Sequence, residues 1–273
     1  ARYLESSSDS LKKLLDSCVA VLVVQFQEQL LAECPAMISS NQIEKLRMLY
    51  RLLNGTPEGI KSVLAHLGEF IKSEAMADMK ANANTITTDP EKYVSPLLAM
   101  FARFSKLVKD AFNNDSRFLT ERDKAFQEVV NDTCIFKMEI SNSKAKGTRV
   151  QAESRCPELL ASYCDLLLRK TSLSKRLSSG EIDSRLNDVL LLLKYVNNKD
   201  VFMRFHKAHL ARRLILEMSA DQEKEEHMVT RMRDAGMPAE LVNKLFRMLQ
   251  DIEINKDLNS NFKSSIGCNN NML

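Results

Sequence analysis

Apolar residues recur every three or four positions along most of the chain, which is the spacing that gathers side chains on one face of an α-helix. The first stripe runs from Leu11 to Leu31 and the second from Ile43 to Leu53. Thr56 and Pro57 then provide an N-cap and a first-turn proline for a helix that is predicted to reach Ile71.

The same spacing predicts further helices over residues 93–112, 118–130, 156–167, 182–196, 198–215, 221–235 and 238–252. Proline lacks a backbone donor, so Pro35 is predicted to end the first helix and Pro96 to kink its helix or to shift its start to Ser95. Residues 141–153 are polar and aperiodic, which predicts a mobile surface loop. No stretch alternates with period two over the length of a strand, so an all-α fold without a sheet is predicted.

Glycine and proline are scarce, with 7 and 6 residues among 273, well below average usage. Sharp turns must therefore be few and the helices between them long. This composition favours helices stacked along an axis, as in bundles or solenoids, over helices packed on a mixed core.

The charge balance excludes a strong general attraction to polyanions, because 39 basic and 36 acidic residues leave a net charge of only +3. No window approaches 18 consecutive apolar residues, so neither a membrane span nor a secretory leader is predicted. The cysteines form no CxxC pair and mostly occupy apolar helix positions, which is typical of a reducing intracellular compartment. They are Cys18, Cys34, Cys134, Cys156, Cys164 and Cys268.

One segment, "NKDVFMRFHKAHLARRLI" (198–215), holds the candidate chemistry. His206 and His209 stand at i and i+3, a spacing that can direct two imidazoles at one metal ion. No glutamate of an HExxH motif and no further ligand cluster accompanies them. The alternative interpretation is that one histidine is a hydrogen-bonded core or interface residue and the other a surface residue.

The helical wheel of this segment shows apolar residues in two sectors. The main sector holds Val201, Phe202, Phe205, His209 and Leu216, and a second, nearly opposite, holds Met203, Leu210 and Leu214. A helix that is apolar on two sides is normally wedged between neighbours. If the Phe205 ring is fully buried, Phe205→Ala should cost roughly 3 to 5 kcal/mol.

The basic residues of this segment do not share a face, as a nucleic-acid-binding helix would require. Arg204 and Lys207 share a side, Arg212 falls beside the main apolar face, and Arg213 lies elsewhere. One or two of these arginines are expected to pair with the acidic residues that follow, Glu217, Asp221, Glu223 and Glu225. No catalytic motif, cofactor loop or activated cysteine is recognisable, so neither a catalytic residue nor a cofactor is predicted.

The same segment strongly resembles the cullin hallmark, in which a D-V-F motif precedes an H-L-x-R-R-L helix. "CPELLASYCDLLLRK", "AFNNDSRFLTERDKAF" and "MLQDIEINKDLNSNFK" are similar to cullin segments in the same order. The resemblance covers residues 1–263. It implies stacked helical cullin repeats, an elongated solenoid-like stalk, leading into the start of a four-helix bundle.

The resemblance also implies a domain organisation. Residues 1–85 are expected to be the C-terminal helices of the second cullin repeat, and 86–196 the third repeat. Residues 197–263 are expected to begin the four-helix bundle, followed by a divergent polar tail over 264–273. The expected junction helix between stalk and bundle contains Asp200, Val201, Phe202, Phe205, His209, Leu210, Arg212 and Leu214.

As function, the resemblance implies a rigid, non-catalytic scaffold of a cullin-RING ubiquitin ligase, which spaces a substrate receptor from the RING and conjugating-enzyme module. The implied partners are an adaptor of the elongin B/C type with its receptor and a RING-box protein. The main regions for both are expected to lie outside this segment. The alternative function is a helical nucleic-acid-binding or metal-dependent protein that uses the helix of His206 and His209.

Overall fold

A computed structural model describes residues 8–54, 57–86, 88–135, 137–140 and 151–270. These residues form thirteen α-helices and one two-stranded sheet. The elements are α1 (Ser8–Ala32), α2 (Cys34–Ser39), α3 (Ile43–Leu53), α4 (Pro57–Ala81), α5 (Ala83–Ile86), α6 (Glu91–Phe112), α7 (Ser116–Val130), β1 (Lys137–Ile140), β2 (Gln151–Ser154), α8 (Cys156–Leu168), α9 (Ser172–Arg176), α10 (Ser179–Leu193), α11 (Lys199–Ile215), α12 (Gln222–Asp234) and α13 (Ala239–Asn270). The all-α class is confirmed, with the small sheet as its exception.

The sheet is an antiparallel hairpin in which Lys137 lies opposite Ser154, and the prediction of no sheet is wrong here. Each strand has four residues, fewer than the usual five or six. Such a strand is too short for an alternation of apolar and polar residues to be recognised in the sequence. The predicted loop is therefore wrong for residues 151–153. The rest of that loop, 141–150, lies outside the described residues.

Two prolines are accommodated within helices. Pro35 lies in the first turn of α2, where its missing donor would have no partner in any case, and α1 ends just before it at Ala32. α6 begins at Glu91, so Pro96 does not move its start to Ser95. A side-chain bond, from the Glu91 amide to the Asp89 carboxylate at 3.1 Å, supports that start.

Two helices run further than their apolar stripes predict. α4 continues past Ile71 because Ala75 and Met79 extend its buried face, and both are buried. α13 continues to Asn270, so the part of the expected polar tail from 264 to 270 is helical. Small or polar residues carry little hydropathy signal, which is why the sequence pattern stops short in both places.

The chain divides into two compact units: Ala1–Ala83 with Pro96–Val129, and Asn84–Ser95 with Val130–Leu273.

An aromatic cluster lies in the core of the first unit. The rings of Phe112 and Phe118 stack with centroids 3.9 Å apart, and Tyr50 meets both edge-on at 5.9 and 5.8 Å. Asn113 and Asn114 form the turn between α6 and α7 with φ angles of 53° and 54°. Asparagine tolerates this left-handed backbone, so the turn can be short enough to bring the two phenylalanines together.

In the second unit, α8 is the central helix, with ten of its thirteen residues buried. Helices α10 and α11 pack against it, α13 packs against α11, and α12 packs against α10 and α13. Ion pairs reinforce the contact between α10 and α12, where Asp183 lies 3.1 Å from Lys224 and 3.0 Å from Arg231. The residues expected to form the junction helix all belong to this unit.

Candidate functional site

Helix α11 spans the candidate segment, and its eight expected junction residues differ in exposure. The buried residues are Val201, Phe202 and Leu210. The half-buried residues are Phe205, His209 and Leu214, and the exposed ones are Asp200 and Arg212. The helix packs against α8 and α13.

The buried face of α11 is one continuous arc rather than two opposite sectors, and the prediction is wrong in this respect. His206 and Arg213 are both 0% exposed and lie between the two predicted apolar sectors. Leu216, expected on the main buried face, is 57% exposed. The flank that carries Arg204 and Arg212 is also exposed. A wheel based on hydropathy divides this face because two polar side chains occupy its centre.

At the end of α11, the guanidinium of Arg213 joins three helices. It donates to Glu225 of α12 through Nε at 2.7 Å and through a terminal nitrogen at 2.8 Å. Its other terminal nitrogen donates to Asp165 of α8 at 2.6 Å. The Ser219 hydroxyl donates to Glu225 at 2.8 Å. We call Arg213, Asp165 and Glu225 the arginine clamp; its carboxylate residues are 7% and 0% exposed.

The backbone around the arginine clamp is a tight reversal. Glu217 has a φ of 52°, and the Met218 amide returns to donate to the Arg213 carbonyl at 2.8 Å. Two further bonds pair this reversal with the end of α8: Lys170 N–H to the Met218 carbonyl at 3.0 Å, and Ala220 N–H to the Leu168 carbonyl at 2.8 Å. The three helix ends that supply the arginine clamp are thus tied together by the main chain as well.

Helix α12 begins immediately after this reversal. The Asp221 side chain accepts from the Glu223 amide at 2.9 Å and caps the helix. Glu223 and Glu225 follow in the first turn, where acidic residues suit the helix dipole. At the other end, Gly236 takes a φ of 74°. The start and stop predicted for this helix are confirmed.

The electrostatics of the arginine clamp are those of a paired buried charge. Burial would lower the pKa of Arg213, but the hydrogen bonds and charges of Glu225 and Asp165 outweigh it and raise that pKa. Arg213 therefore stays cationic, and each hydrogen bond that its guanidinium donates to a carboxylate is charge-assisted. The expected pairing of an arginine with Glu225 is confirmed.

His206 contrasts with Arg213, because neither of its ring nitrogens has a hydrogen-bond partner among the described residues. The ring stacks on Phe202 with centroids 5.6 Å apart and planes 17° apart. Burial, with added repulsion from Arg213 and His209, lowers the pKa of His206 well below its ordinary value. This histidine is neutral and packs as an aromatic ring, so the expectation of a hydrogen-bonded core histidine is wrong.

His209 does not complete a metal site with His206. Its Nδ1 lies 3.9 Å from the Asp165 carboxylate, and burial lowers its pKa, partly opposed by Asp165. The enclosed ring of His206 offers no nitrogen to a shared ion. Across the described ranges, no group of three or more histidine, cysteine or acidic side chains is arranged to hold a metal.

Two other candidate chemistries also lack support in this geometry. Arg213 is enclosed by carboxylates, so it is withdrawn from any nucleic-acid contact. Burial raises the pKa of the thiols of Cys34, Cys156 and Cys164 to about 11, about 12 and about 12. These three cysteines are protonated at neutral pH and are poor nucleophiles.

Sequence reasoning missed Asp165 as a member of the site. It lies 48 positions before Arg213, so no local pattern connects the two. One signal was available: α8 is apolar nearly all round, and a helix of that kind is buried. An acidic residue buried in such a helix requires a cationic partner in the core.

Comparison with known proteins assigns the family. The model of the cullin alpha solenoid domain matches residues 1–259. Cullin-5 of Caenorhabditis elegans is 58% identical over 271 residues, which cover 99% of this chain and 35% of that protein. Cullin-1 of Schizosaccharomyces pombe is 30% identical over 264 residues, covering 95% and 32%. Cullin-1 of Dictyostelium discoideum is 28% identical over 265 residues, covering 97% and 32%. The chain belongs to the cullin family.

Within the family, the stretches "ITTDPEKYV" and "VNDTCIF" resemble cullin-5 in particular, and the identity to the cullin-5 relative is the higher one, 58% against 30% for the cullin-1 relative of Schizosaccharomyces pombe. The chain spans about a third of the length of these relatives. None of the helices in the described part of the chain is long and apolar enough to cross a membrane.

Proposed function

We propose that this chain is part of a rigid scaffold of a cullin-RING ubiquitin ligase. The scaffold would hold a substrate receptor and a RING-bound conjugating enzyme at a fixed separation. The observation that carries the proposal is the match to the cullin alpha solenoid domain over residues 1–259. A catalytic role is not proposed, because the described site consists of buried ion pairs and packed rings.

The proposed domain organisation follows the cullin pattern. Residues 1–85 would complete the second repeat, 86–196 would form the third, and 197–263 would begin the four-helix bundle. Helix α11 would then be the first element of the bundle. Its packing against α8 and α13 and its charged bonds to α8 and α12 support this assignment.

The proposed partners are an elongin B/C-type adaptor with its receptor and a RING-box protein, both bound by parts of the full-length protein outside this segment. Neither nucleic acid nor membrane is a proposed partner. The proposed location is the cytoplasm and nucleus, where such ligases act. A near-neutral charge and protonated buried thiols are compatible with it.

Co-purification of the full-length protein tests this proposal. Co-expressed with elongins B and C, a matching receptor and a RING-box protein, it should elute as one stoichiometric complex. The matched control is the present segment alone, which should retain neither partner because it lacks both proposed binding regions. A full-length protein that leaves both partners unbound would contradict the proposal.

A further inference from the structure

The charged side chains of the arginine clamp lie where apolar packing from α11 has ended. Leu210 is the last fully buried apolar residue of α11. Beyond it, Leu214 is only half-buried, and Ile215 and Leu216 are 74% and 57% exposed. On this helix, Arg213 is therefore the buried side chain that contacts the start of α12, through Glu225.

Helix α12 shows the same arrangement from its own side. Its apolar core positions begin at Met228, and before that residue the buried side chains are Lys224 and Glu225. Lys224 bonds the Ser179 carbonyl and Asp183 of α10, both at 3.1 Å. The start of α12 is thus oriented by directional bonds to α10 and, through Arg213, to α8.

Buried ion pairs of this kind contribute little net free energy, because desolvation of the charges offsets their attraction. Replacing a whole buried cluster with apolar side chains of similar volume is often neutral or stabilising. Apolar contacts, however, are non-directional, whereas the paired bonds from Arg213 to Glu225 fix the plane and angle of the guanidinium. Orientation and stability can therefore be separated at this site.

We propose that Arg213 is a positioning residue that sets the angle between α8 and α12, while adding little to the stability of the fold. This inference rests on the proposed scaffold function, which gives a fixed angle its purpose. Bidentate bonds to one carboxylate and a third bond to the other leave the guanidinium one orientation. The angle between α8 and α12 follows from that orientation.

The test measures two quantities in the full-length protein: the width of the distance distribution between α8 and α12, and the thermal stability. Spin labels on unnatural amino acids at Ser162 of α8 and His227 of α12 report the distance distribution between the two helices. The apolar variant combines Arg213→Met, Asp165→Leu and Glu225→Leu. Its distance distribution should widen about twofold, while its thermal midpoint stays within about 3 °C of the parent or rises.

Two further variants make the result decisive. Glu240→Leu with Lys244→Met removes an exposed ion pair of α13 and should change neither width nor midpoint. Arg213→Lys keeps the charge but cannot form the planar bidentate bonds, so it should widen the distribution as well. An unchanged width in the apolar variant, or its failure to fold, would overturn the proposal. Because this readout needs no partner, it is independent of the co-purification experiment.

Discussion

Two polar residues at the centre of one buried helix face have opposite environments. Arg213 has three charge-assisted bonds to two carboxylates, so its burial is compensated. His206 has no partner for either ring nitrogen among the described residues and contacts Phe202 as an aromatic ring. An unpaired buried polar group costs about 1–3 kcal/mol, so His206 is a weak point in the core.

His206→Phe is expected to stabilise the protein by about 1 kcal/mol at pH 7 and to make it less sensitive to acid. The pKa of His206 is lowered in the folded state, so below about pH 6.5 the unfolded chain binds more protons. Stability is therefore lost as pH falls from 7 to 5, and this loss should be smaller in His206→Phe than in the parent. Urea unfolding at both pH values measures the difference.

The matched control is His227→Phe, at a position where the histidine is exposed. This variant should keep the pH dependence of the parent protein. His209 also has a lowered pKa and should account for part of the sensitivity that remains in His206→Phe. Equal pH dependence in His206→Phe and the parent would show that His206 is not buried as a neutral ring.

At the scale of elements, α11 is a helix whose buried face does not coincide with its most apolar face. The structure buries Phe202 completely and Phe205 only in part. Hydropathy alone places both rings on the main buried face. The buried face is rotated from the most apolar face toward the side that carries Arg213, whose guanidinium bonds Asp165 of α8.

Comparing Phe202→Ala with Phe205→Ala tests this rotation of the buried face. Phe202→Ala should cost about 3–5 kcal/mol, the usual loss for a fully buried aromatic ring. Phe205→Ala should cost clearly less, since its ring is half-buried and contacts Arg204 from the solvent side. Chemical denaturation of both variants gives the two free energies. Equal losses would contradict the orientation described here.

Several elements of the fold could be predicted from the sequence because their signals are local. α3 and α7 match their predicted stripes closely, and the cap and glycine stop of α12 are both readable in the sequence. The hairpin of β1 and β2 was missed because its strands are short and its partner residues are distant. In the candidate site, Glu225 was predictable as a nearby acid, whereas Asp165 required knowledge of which helix packs beside α11.

At the scale of the whole molecule, the proposed scaffold depends on connections that keep their geometry. Asn131 connects the segment before the hairpin to the end of α10: its side chain bonds the Tyr195 carbonyl and the Asn197 amide, each at 2.9 Å. Asn198, at the start of α11, bonds Glu153 at 3.2 Å. These polar bonds hold the short connection between α10 and α11, which the proposal places at the boundary of repeat and bundle.

The most direct test of a positioning scaffold is ubiquitin transfer after the connection between α10 and α11 is made flexible. A glycine-serine linker of about ten residues, inserted after Asn197 in the full-length protein, would remove the constraint that this short connection places on α10 and α11. In the assembled ligase, binding of the adaptor and RING-box protein should be unchanged, and ubiquitin transfer to the bound substrate should fall at least about tenfold.

The same linker inserted between residues 145 and 146, in the segment that joins β1 to β2, serves as the matched control. It adds equal length without separating α10 from α11, so transfer should stay close to that of the parent. The account predicts loss of transfer for the insertion after Asn197 and not for this control. Full transfer with the linker after Asn197 would contradict the claim that the chain acts by holding its partners in position.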